Sequence, residues 1–145
     1  MDITIFKDIK QTARPFYRNI NLILTRIQEG ASKDIVKKIR AEKDKENRNI
    51  LKQKLPAMCF SGQFTKRADN AIKEHSGYIC LDFDGYKSNR DLLQEKERLS
   101  KDKFVYSVFI SPSGNGLKVL VKIPPIIDDH KSYFLSLQKY YDSEY

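Results

Sequence analysis

Two apolar segments on either side of a short turn constrain the fold most. Residues 104–110 are rich in β-branched and aromatic side chains, and residues 117–123 alternate apolar side chains with lysines. Both patterns are typical of β-strands. Residues 111–116 contain a proline, two serines and an Asn-Gly pair, which favour a tight turn. We therefore predict a β-hairpin, and hence a sheet with antiparallel strands.

The remaining segments alternate between strand and helix patterns. Further strands are predicted at residues 2–7, 57–60 and 78–83. Helices are predicted from Pro15 to Gly30, from Ser32 into the charged run 40–48, over residues 65–74, from Ser88 onward and from Asp128 onward. From residue 57 the order is strand, helix, strand, helix, strand, strand, helix, which indicates an α+β or α/β domain with a mixed sheet.

Length and charge narrow the class of protein. The 145 residues predict one domain, with a helical N-terminal unit at 1–55 and a sheet portion at 56–145. A net charge of +8 indicates a polyanionic partner or a well-solvated surface, and charge alone leaves both open. Cys59 and Cys80 lie in short apolar runs and are expected to be buried thiols in a reducing cytoplasm. No signal peptide and no membrane segment is expected.

The segment Asp82-Phe83-Asp84 places two carboxylates at the end of an apolar strand. Side chains alternate across a strand, so both acids face one way, with Cα atoms roughly 6–7 Å apart. Two carboxylates this close repel each other unless a proton or a cation lies between them. Magnesium and manganese ions prefer oxygen ligands such as carboxylates. A cap on a neighbouring helix or pairing with lysines is the alternative. The apolar strand, Gly85 and the basic surroundings favour a metal site.

The turn after the hairpin's first strand is a candidate phosphate cradle. Ser111 and Ser113 supply hydroxyl groups, Gly114 and Gly116 allow a close backbone approach, and Lys118 adds a positive charge. The segment is not a P-loop, because its spacing differs and no helix follows. By itself it could be an ordinary hairpin turn, but together with the acidic pair it predicts a nucleotide site.

Other candidates carry less information. Lys54, Lys66 and Arg67, together with Arg40 on the charged helix, could contact nucleic acid or simply be solvated. His75 is expected to be structural, and His130 is expected on the surface.

Several segments in order resemble a known family. They are Leu55-Pro56-Ala57, Phe60-Ser61-Gly62-Gln63-Phe64, His75-Ser76-Gly77, Ile79-Cys80-Leu81-Asp82-Phe83-Asp84, residues 109–118 and the helix after His130. From about residue 30 onward the chain resembles the archaeo-eukaryotic primase superfamily, or primase–polymerases. Within it, the chain looks most like the bacterial and phage primase-like domain labelled VirE N-terminal domain.

The resemblance implies both fold and activity. The fold would be an RRM-like catalytic sheet flanked by helices, with an N-terminal α/β unit. Asp82 and Asp84 would hold Mg²⁺ or Mn²⁺ for nucleotidyl transfer in DNA replication. Residues Ser113, Gly114 and Gly116, with Lys118, would contact the phosphates of an NTP or dNTP. The partners implied are a single-stranded DNA template and a helicase, fused or separate.

The chain departs from the family pattern in two places. Many members have histidine where this chain has Lys118, which binds phosphate as a point charge. The superfamily also uses a third carboxylate on a later strand, for which Asp142 in the last predicted helix is a poor substitute. We therefore expect a primase-like core that ends before its third metal ligand, or a degenerate form of it.

Two other functions fit parts of the sequence. A non-catalytic module that binds single-stranded nucleic acid would keep the fold and the basic surface. A haloacid dehalogenase-like phosphohydrolase is suggested by residues 81–85, whose Asp-Phe-Asp-Gly resembles that family's nucleophile strand. That family usually has threonine where this chain has Tyr86, and it needs a later acidic pair that is not found in a strand context.

Overall fold

Eight strands and five α-helices, together with two single-turn 3₁₀ helices, make up a computed structural model of residues 1–145. The strands are β1 (Asp2–Phe6), β2 (Phe16–Asn19), β3 (Ala57–Cys59), β4 (Gly62–Phe64), β5 (Ile72–His75), β6 (Tyr78–Phe83), β7 (Val105–Ile110) and β8 (Leu117–Lys122). The helices are α1 (Ile20–Gln28), α2 (Lys33–Ala41), α3 (Lys45–Lys52), α4 (Asn89–Ser100) and α5 (His130–Glu144). The α+β class is confirmed, with three small sheets that are all antiparallel. None of the helices has both the length and the apolar character needed to cross a membrane.

The hairpin predicted from the two apolar segments is confirmed and supplies two of the three strands of the central sheet, whose strand order is β6-β8-β7. Strand β8 lies in the middle, paired along its whole length with β6 from Tyr78↔Lys122 to Phe83↔Leu117. The β7 pairing shifts register between Val105 and Ser107. This register fixes which side chains share a face, because neighbours along a strand point to opposite sides.

The two faces of the central sheet are covered differently. One face packs on α4 and α5, in a cluster that includes Ile79, Leu81, Leu92, Leu99, Val119 and Leu137. The opposite face meets β1 and α1 through Ile3, Ile5, Ile20, Ile23, Phe60, Tyr78 and Leu120. Burial on both faces explains why β6 reads as a nearly continuous apolar run.

The N-terminal sheet has the order β2-β1-β3 and joins the two predicted portions of the chain. Strand β1 pairs with β2 on one side and with β3 on the other. Because β3 follows Pro56, this sheet takes its strands from both sides of residue 55.

The helix predicted to begin at Pro15 begins later. Residues Phe16–Asn19 form β2 and pair with β1, and the side chain of Asn19 caps α1 by accepting a hydrogen bond from the backbone N–H of Asn21. The apolar spacing of this segment fits a helix, but the adjacent β1 edge offers ladder partners that outweigh the local preference. The helix from Ser32 is confirmed, although the charged run breaks after Ala41 and Asp44 caps a separate α3.

The helix predicted over residues 65–74 is wrong. A single 3₁₀ turn, Asp69–Ala71, leads into β5, which pairs with β4 in a two-stranded sheet. Gly62 makes this pairing possible, since a Cβ there would overlap the carbonyl oxygen of Glu74. The last helix begins at His130, after a 3₁₀ turn that contains Asp128.

Candidate functional site

The acidic end of β6 projects from the central sheet. Phe83 turns towards α5 and packs edge-on against Tyr141, with ring centroids 5.4 Å apart. Asp82 points to the opposite face, as the strand alternation predicts. There it lies opposite Lys118 in the β6–β8 register, and the Lys118 Nζ is 2.9 Å from the Asp82 Oδ1. The carboxylate and the glycine-turn lysine are therefore in direct contact.

Asp84 reaches the same turn at Gly116. A Cβ on Gly116 would collide with Oδ1 of Asp84 and would lie 3.0 Å from the carbonyl oxygen of Phe83. Glycine at this position thus leaves the space that the Asp84 carboxylate occupies. The acidic pair and the glycine turn form one site, although about thirty residues separate them in the chain.

Internal hydrogen bonds shape the turn itself. The N–H of Ser111 donates to the Gly116 carbonyl at 2.9 Å, and the N–H of Gly114 donates to the Ser111 carbonyl at 2.9 Å. Gly114 has φ +81°, a conformation that glycine adopts at little cost. Its amide is already bonded, so Gly114 contributes shape rather than a free donor. The hydroxyls of Ser111 and Ser113 lie 3.2 Å apart beside it.

Arg40, on α2, ties the N-terminal unit to this turn. Its Nε donates to the Pro112 carbonyl at 3.3 Å, and its Nη2 donates to the Ser111 carbonyl at 3.1 Å. The sequence indicated Arg40 only as an ambiguous nucleic-acid contact. The structure places it at the site, where it bonds the protein and leaves a positive charge beside the turn.

Two adjoining cavities open beside Asp82. The smaller, about 320 Å³, lies between Asp82, Asp84 and the turn, and we call it the carboxylate cavity. The larger, about 880 Å³, runs between α1 and α2 on one side and the central sheet on the other, and we call it the cleft. Both are lined by Asp82 and Lys118. A ligand held at the acidic pair can therefore extend into the cleft.

The cleft has an apolar wall and a basic margin. Its apolar lining includes Ile23, Ile27, Met58, Phe60 and Phe109, and its cations are Arg26, Lys33, Lys37, Arg40 and Lys118. Burial raises the pKa of the Cys80 thiol, which also lines the cleft, to about 11. That thiol is neutral at physiological pH and contributes apolar surface rather than a nucleophile.

The other cations predicted from the sequence lie elsewhere. Lys54, Lys66 and Arg67 line neither cavity. Arg67 instead bonds the loop after β1, through its Nη1 to the carbonyl of Ile9 at 2.8 Å. Lys52, which sequence reasoning did not single out, lines the carboxylate cavity at the end of α3. No local pattern distinguishes Lys52 from its many charged neighbours.

A pair of histidines was also missed as a functional candidate. His75 is buried, as expected of a structural residue, and its Nε2 lies 2.9 Å from Nδ1 of His130. His130 is half-buried rather than on the open surface, and it lines the cleft. The only sequence signal was the His-Ser-Gly segment before β6.

The ligand set available to a cation consists of the two carboxylates. Asp82 and Asp84 are both exposed, so their oxygens are free to reorient towards an ion. No group of three or more acidic, histidine or cysteine side chains converges anywhere in the structure. A magnesium or manganese ion here would complete its shell with water and phosphate oxygens, as magnesium commonly does.

One comparison with known proteins identifies a family. The model of the BT4734-like N-terminal domain matches residues 50–144, about two thirds of the chain. The chain belongs to this family. The residues that match the BT4734-like domain include the acidic pair, the glycine turn and both histidines, whereas Arg40 lies before them. No curated protein and no solved structure matches the chain.

Proposed function

We propose that this chain binds a nucleoside triphosphate through a divalent cation and serves nucleotidyl transfer of the primase–polymerase type in DNA replication. The observation that carries the proposal is the convergence of the acidic pair with the glycine turn. Lys118 contacts Asp82, and Gly116 makes room for Asp84, at the mouth of a cavity of nucleotide-binding size.

The chemistry of the site suits a triphosphate. Carboxylate oxygens are the ligands that Mg²⁺ and Mn²⁺ prefer, and one or two of them plus substrate phosphates form the usual magnesium site. Lys118, Arg40 and Lys52 place three positive charges around the two cavities, which offsets phosphate charge. The hydroxyl of Ser113 donates to Oδ1 of Asn115 at 2.6 Å, so it must rotate away from this bond before it can donate to a phosphate oxygen.

The contact between Lys118 and Asp82 allows a bound cation to replace Lys118 as the partner of the Asp82 carboxylate. The two side chains are 33% and 59% exposed, so their ion pair contributes only about 0–1 kcal/mol. An incoming cation therefore displaces Lys118 from Asp82 at little cost. The released ammonium group is then free to bind a phosphate oxygen of the same nucleotide.

Each residue of the site has a separate role in the proposed reaction. A bound divalent cation would supply positive charge that stabilises the oxygens of the attacking and leaving groups. Asp82 and Asp84 would hold the cation, Lys118 and the turn would orient the triphosphate, and Arg40 would fix the turn. A single-stranded DNA template and a helicase, in the cytoplasm, are the partners that the resemblance to primase–polymerases suggests.

Calorimetric titration of NTPs and dNTPs tests the proposal. We expect binding in Mg²⁺ or Mn²⁺ that weakens at least tenfold in EDTA and in the double variant Asp82→Asn/Asp84→Asn. The matched control is Asp142→Asn, an exposed acid on α5. Equal binding in EDTA, in the double variant and in the control would remove the proposal.

A second function is favoured by the basic margin of the cleft. Arg26, Lys33, Lys37 and Arg40 could bind the backbone of single-stranded nucleic acid without catalysis. That module would show affinity for single-stranded DNA that falls steeply with salt and ignores both EDTA and the aspartate changes. Metal-dependent nucleotide binding would distinguish the first function from this one.

A further inference from the structure

The two histidines form a hydrogen-bonded chain with a fixed direction. The backbone N–H of Gly77 donates to Nδ1 of His75 at 2.9 Å, so this nitrogen is an acceptor and carries no proton. In neutral His75 the proton is then on Nε2, which lies 2.9 Å from Nδ1 of His130 and donates to it. His130 in turn carries its proton on Nε2.

The surroundings favour neutral rings. Burial lowers the pKa of His75 below its ordinary value, and the neighbouring His130 lowers it further. Burial also lowers the pKa of His130, although the carboxylate of Asp69, in the 3₁₀ turn before β5, acts against it. Because the pKa values of both rings are lowered, both imidazoles are neutral near pH 7.

The end of this chain opens into the cleft. His130 lines the cleft, and no protein atom accepts a hydrogen bond from its Nε2. Ser61, which also lines the cleft, accepts a backbone hydrogen bond from Ser76, the neighbour of His75. The apolar side chains of Phe60 and Met58 line the same space. The cleft therefore presents an oriented, uncharged N–H donor beside aromatic and aliphatic surface.

We propose that His130 Nε2–H donates a hydrogen bond to a carbonyl oxygen or unprotonated ring nitrogen of a nucleobase in the cleft, with His75 as the positioning residue that fixes its tautomer. An uncharged donor next to apolar walls suits a planar heterocycle better than a phosphate. The inference rests on the proposed function, since the triphosphate of the same nucleotide would lie at the acidic pair.

Comparing NTPs, which carry a base, with tripolyphosphate, which does not, separates recognition of the base from recognition of the phosphates. Wild type, His130→Phe and His130→Gln are titrated with the four NTPs and with tripolyphosphate in Mn²⁺. His130→Phe should weaken at least one NTP about tenfold and leave tripolyphosphate unchanged. His130→Gln, whose amide keeps an N–H donor at similar reach, should restore most of the affinity. If His130→Phe binds all four NTPs as wild type does, or weakens tripolyphosphate equally, the inference is overturned.

Nitrogen NMR of the wild-type imidazoles supplies a test that needs no variant. We expect an unprotonated Nδ1 on His75, and a protonated Nε2 on His130 whose signal moves with NTP but not with tripolyphosphate. A proton on Nδ1 of His75, or an Nε2 signal indifferent to NTP, contradicts the inference while leaving the acidic pair untouched. If wild type binds neither ligand, the proposed function fails, and this inference fails with it.

Discussion

Gly116 is the residue at which the two halves of the site touch. Its place between Asp84 and the hydroxyl of Ser111 leaves no room for a side chain. The substitution Gly116→Ala should push the Asp84 carboxylate aside and weaken metal-dependent nucleotide binding about tenfold, which calorimetry would measure. Gly85→Asn is the control, because residue 85 has open space around it and asparagine tolerates its φ of +86°. Equal losses in the two variants would show that Gly116 has no special role.

Lys118 gives a second test at the same scale. Replacing it with methionine removes the positive charge that competes for Asp82, so affinity for Mn²⁺ alone should rise about threefold. Affinity for NTP with Mn²⁺ should fall about tenfold, because the phosphates lose a cation. Lys122→Met, an exposed change on the same strand, should do neither. If Lys118→Met lost affinity both for Mn²⁺ alone and for NTP with Mn²⁺, Lys118 would not compete with the cation for Asp82.

Some residues of the site could be predicted from the sequence, and others could not. The face of the sheet on which Asp82 lies followed from strand alternation, whereas its contact with Lys118 depends on the β6–β8 register, which the sequence did not predict. The roles of Arg40 and His130 did not follow either, because they depend on contacts 71 and 55 residues away in the chain. Such contacts leave no periodic trace in a single sequence.

At the scale of elements, helix α5 depends on an anionic anchor. Asp102, after α4, accepts hydrogen bonds from the hydroxyls of Tyr140 at 2.9 Å, Tyr145 at 3.1 Å and Tyr141 at 3.2 Å. Burial acts to raise the pKa of Asp102, but the N–H of Phe104 and the three hydroxyls together hold it below its usual value. The end of α5 is thereby fixed to the loop before β7.

The anchor predicts a pH-dependent stability. A depressed folded pKa means that the stabilisation is present above the unfolded value of about 3.9 and is lost as pH falls through the folded value. Asp102→Asn should cost about 1–2 kcal/mol in urea unfolding at pH 7, and the difference from wild type should shrink below about pH 4. Asp142→Asn should change little at either pH. A constant difference down to pH 2 would rule out the charged anchor.

The same contacts also predict a change in stability at alkaline pH, where stability falls as pH rises. The hydrogen bond to Asp102 raises the pKa of Tyr140 to about 12. Because the folded pKa lies above the unfolded value of about 10, stability should be full below pH 10 and decline as pH rises towards 12. Ultraviolet titration of tyrosinate should therefore show Tyr140→Phe missing a late-ionising group.

Elements could be predicted from sequence where their own residues decide them. The capped helix at Ser88 and the strands β6 and β8 were found, because their caps and apolar runs are local. The strands β2 and β5 were read as helix, because their strand character comes from partners elsewhere in the fold. Pairing with β1 or β4 supplies backbone hydrogen bonds that no local pattern reveals.

For the molecule as a whole, the site depends on how the N-terminal unit sits on the central sheet. Arg40→Ala removes the two hydrogen bonds from α2 to the turn, so nucleotide affinity should fall about fivefold while the free energy of unfolding drops by only about 1 kcal/mol. Lys37→Ala, which also removes a cation lining the cleft but no hydrogen bond, is the control. Equal effects on affinity would indicate that only charge matters.

In the proposed function, one ion and one triphosphate meet at the acidic pair and the glycine turn. Paramagnetic broadening of backbone amide signals by substoichiometric Mn²⁺, recorded with and without ATP, tests this directly. We predict selective broadening of residues 82–85 and 111–118 that ATP strengthens and Asp82→Asn/Asp84→Asn abolishes. Broadening centred elsewhere, or unchanged in the double variant, would show that the ion does not bind at the acidic pair.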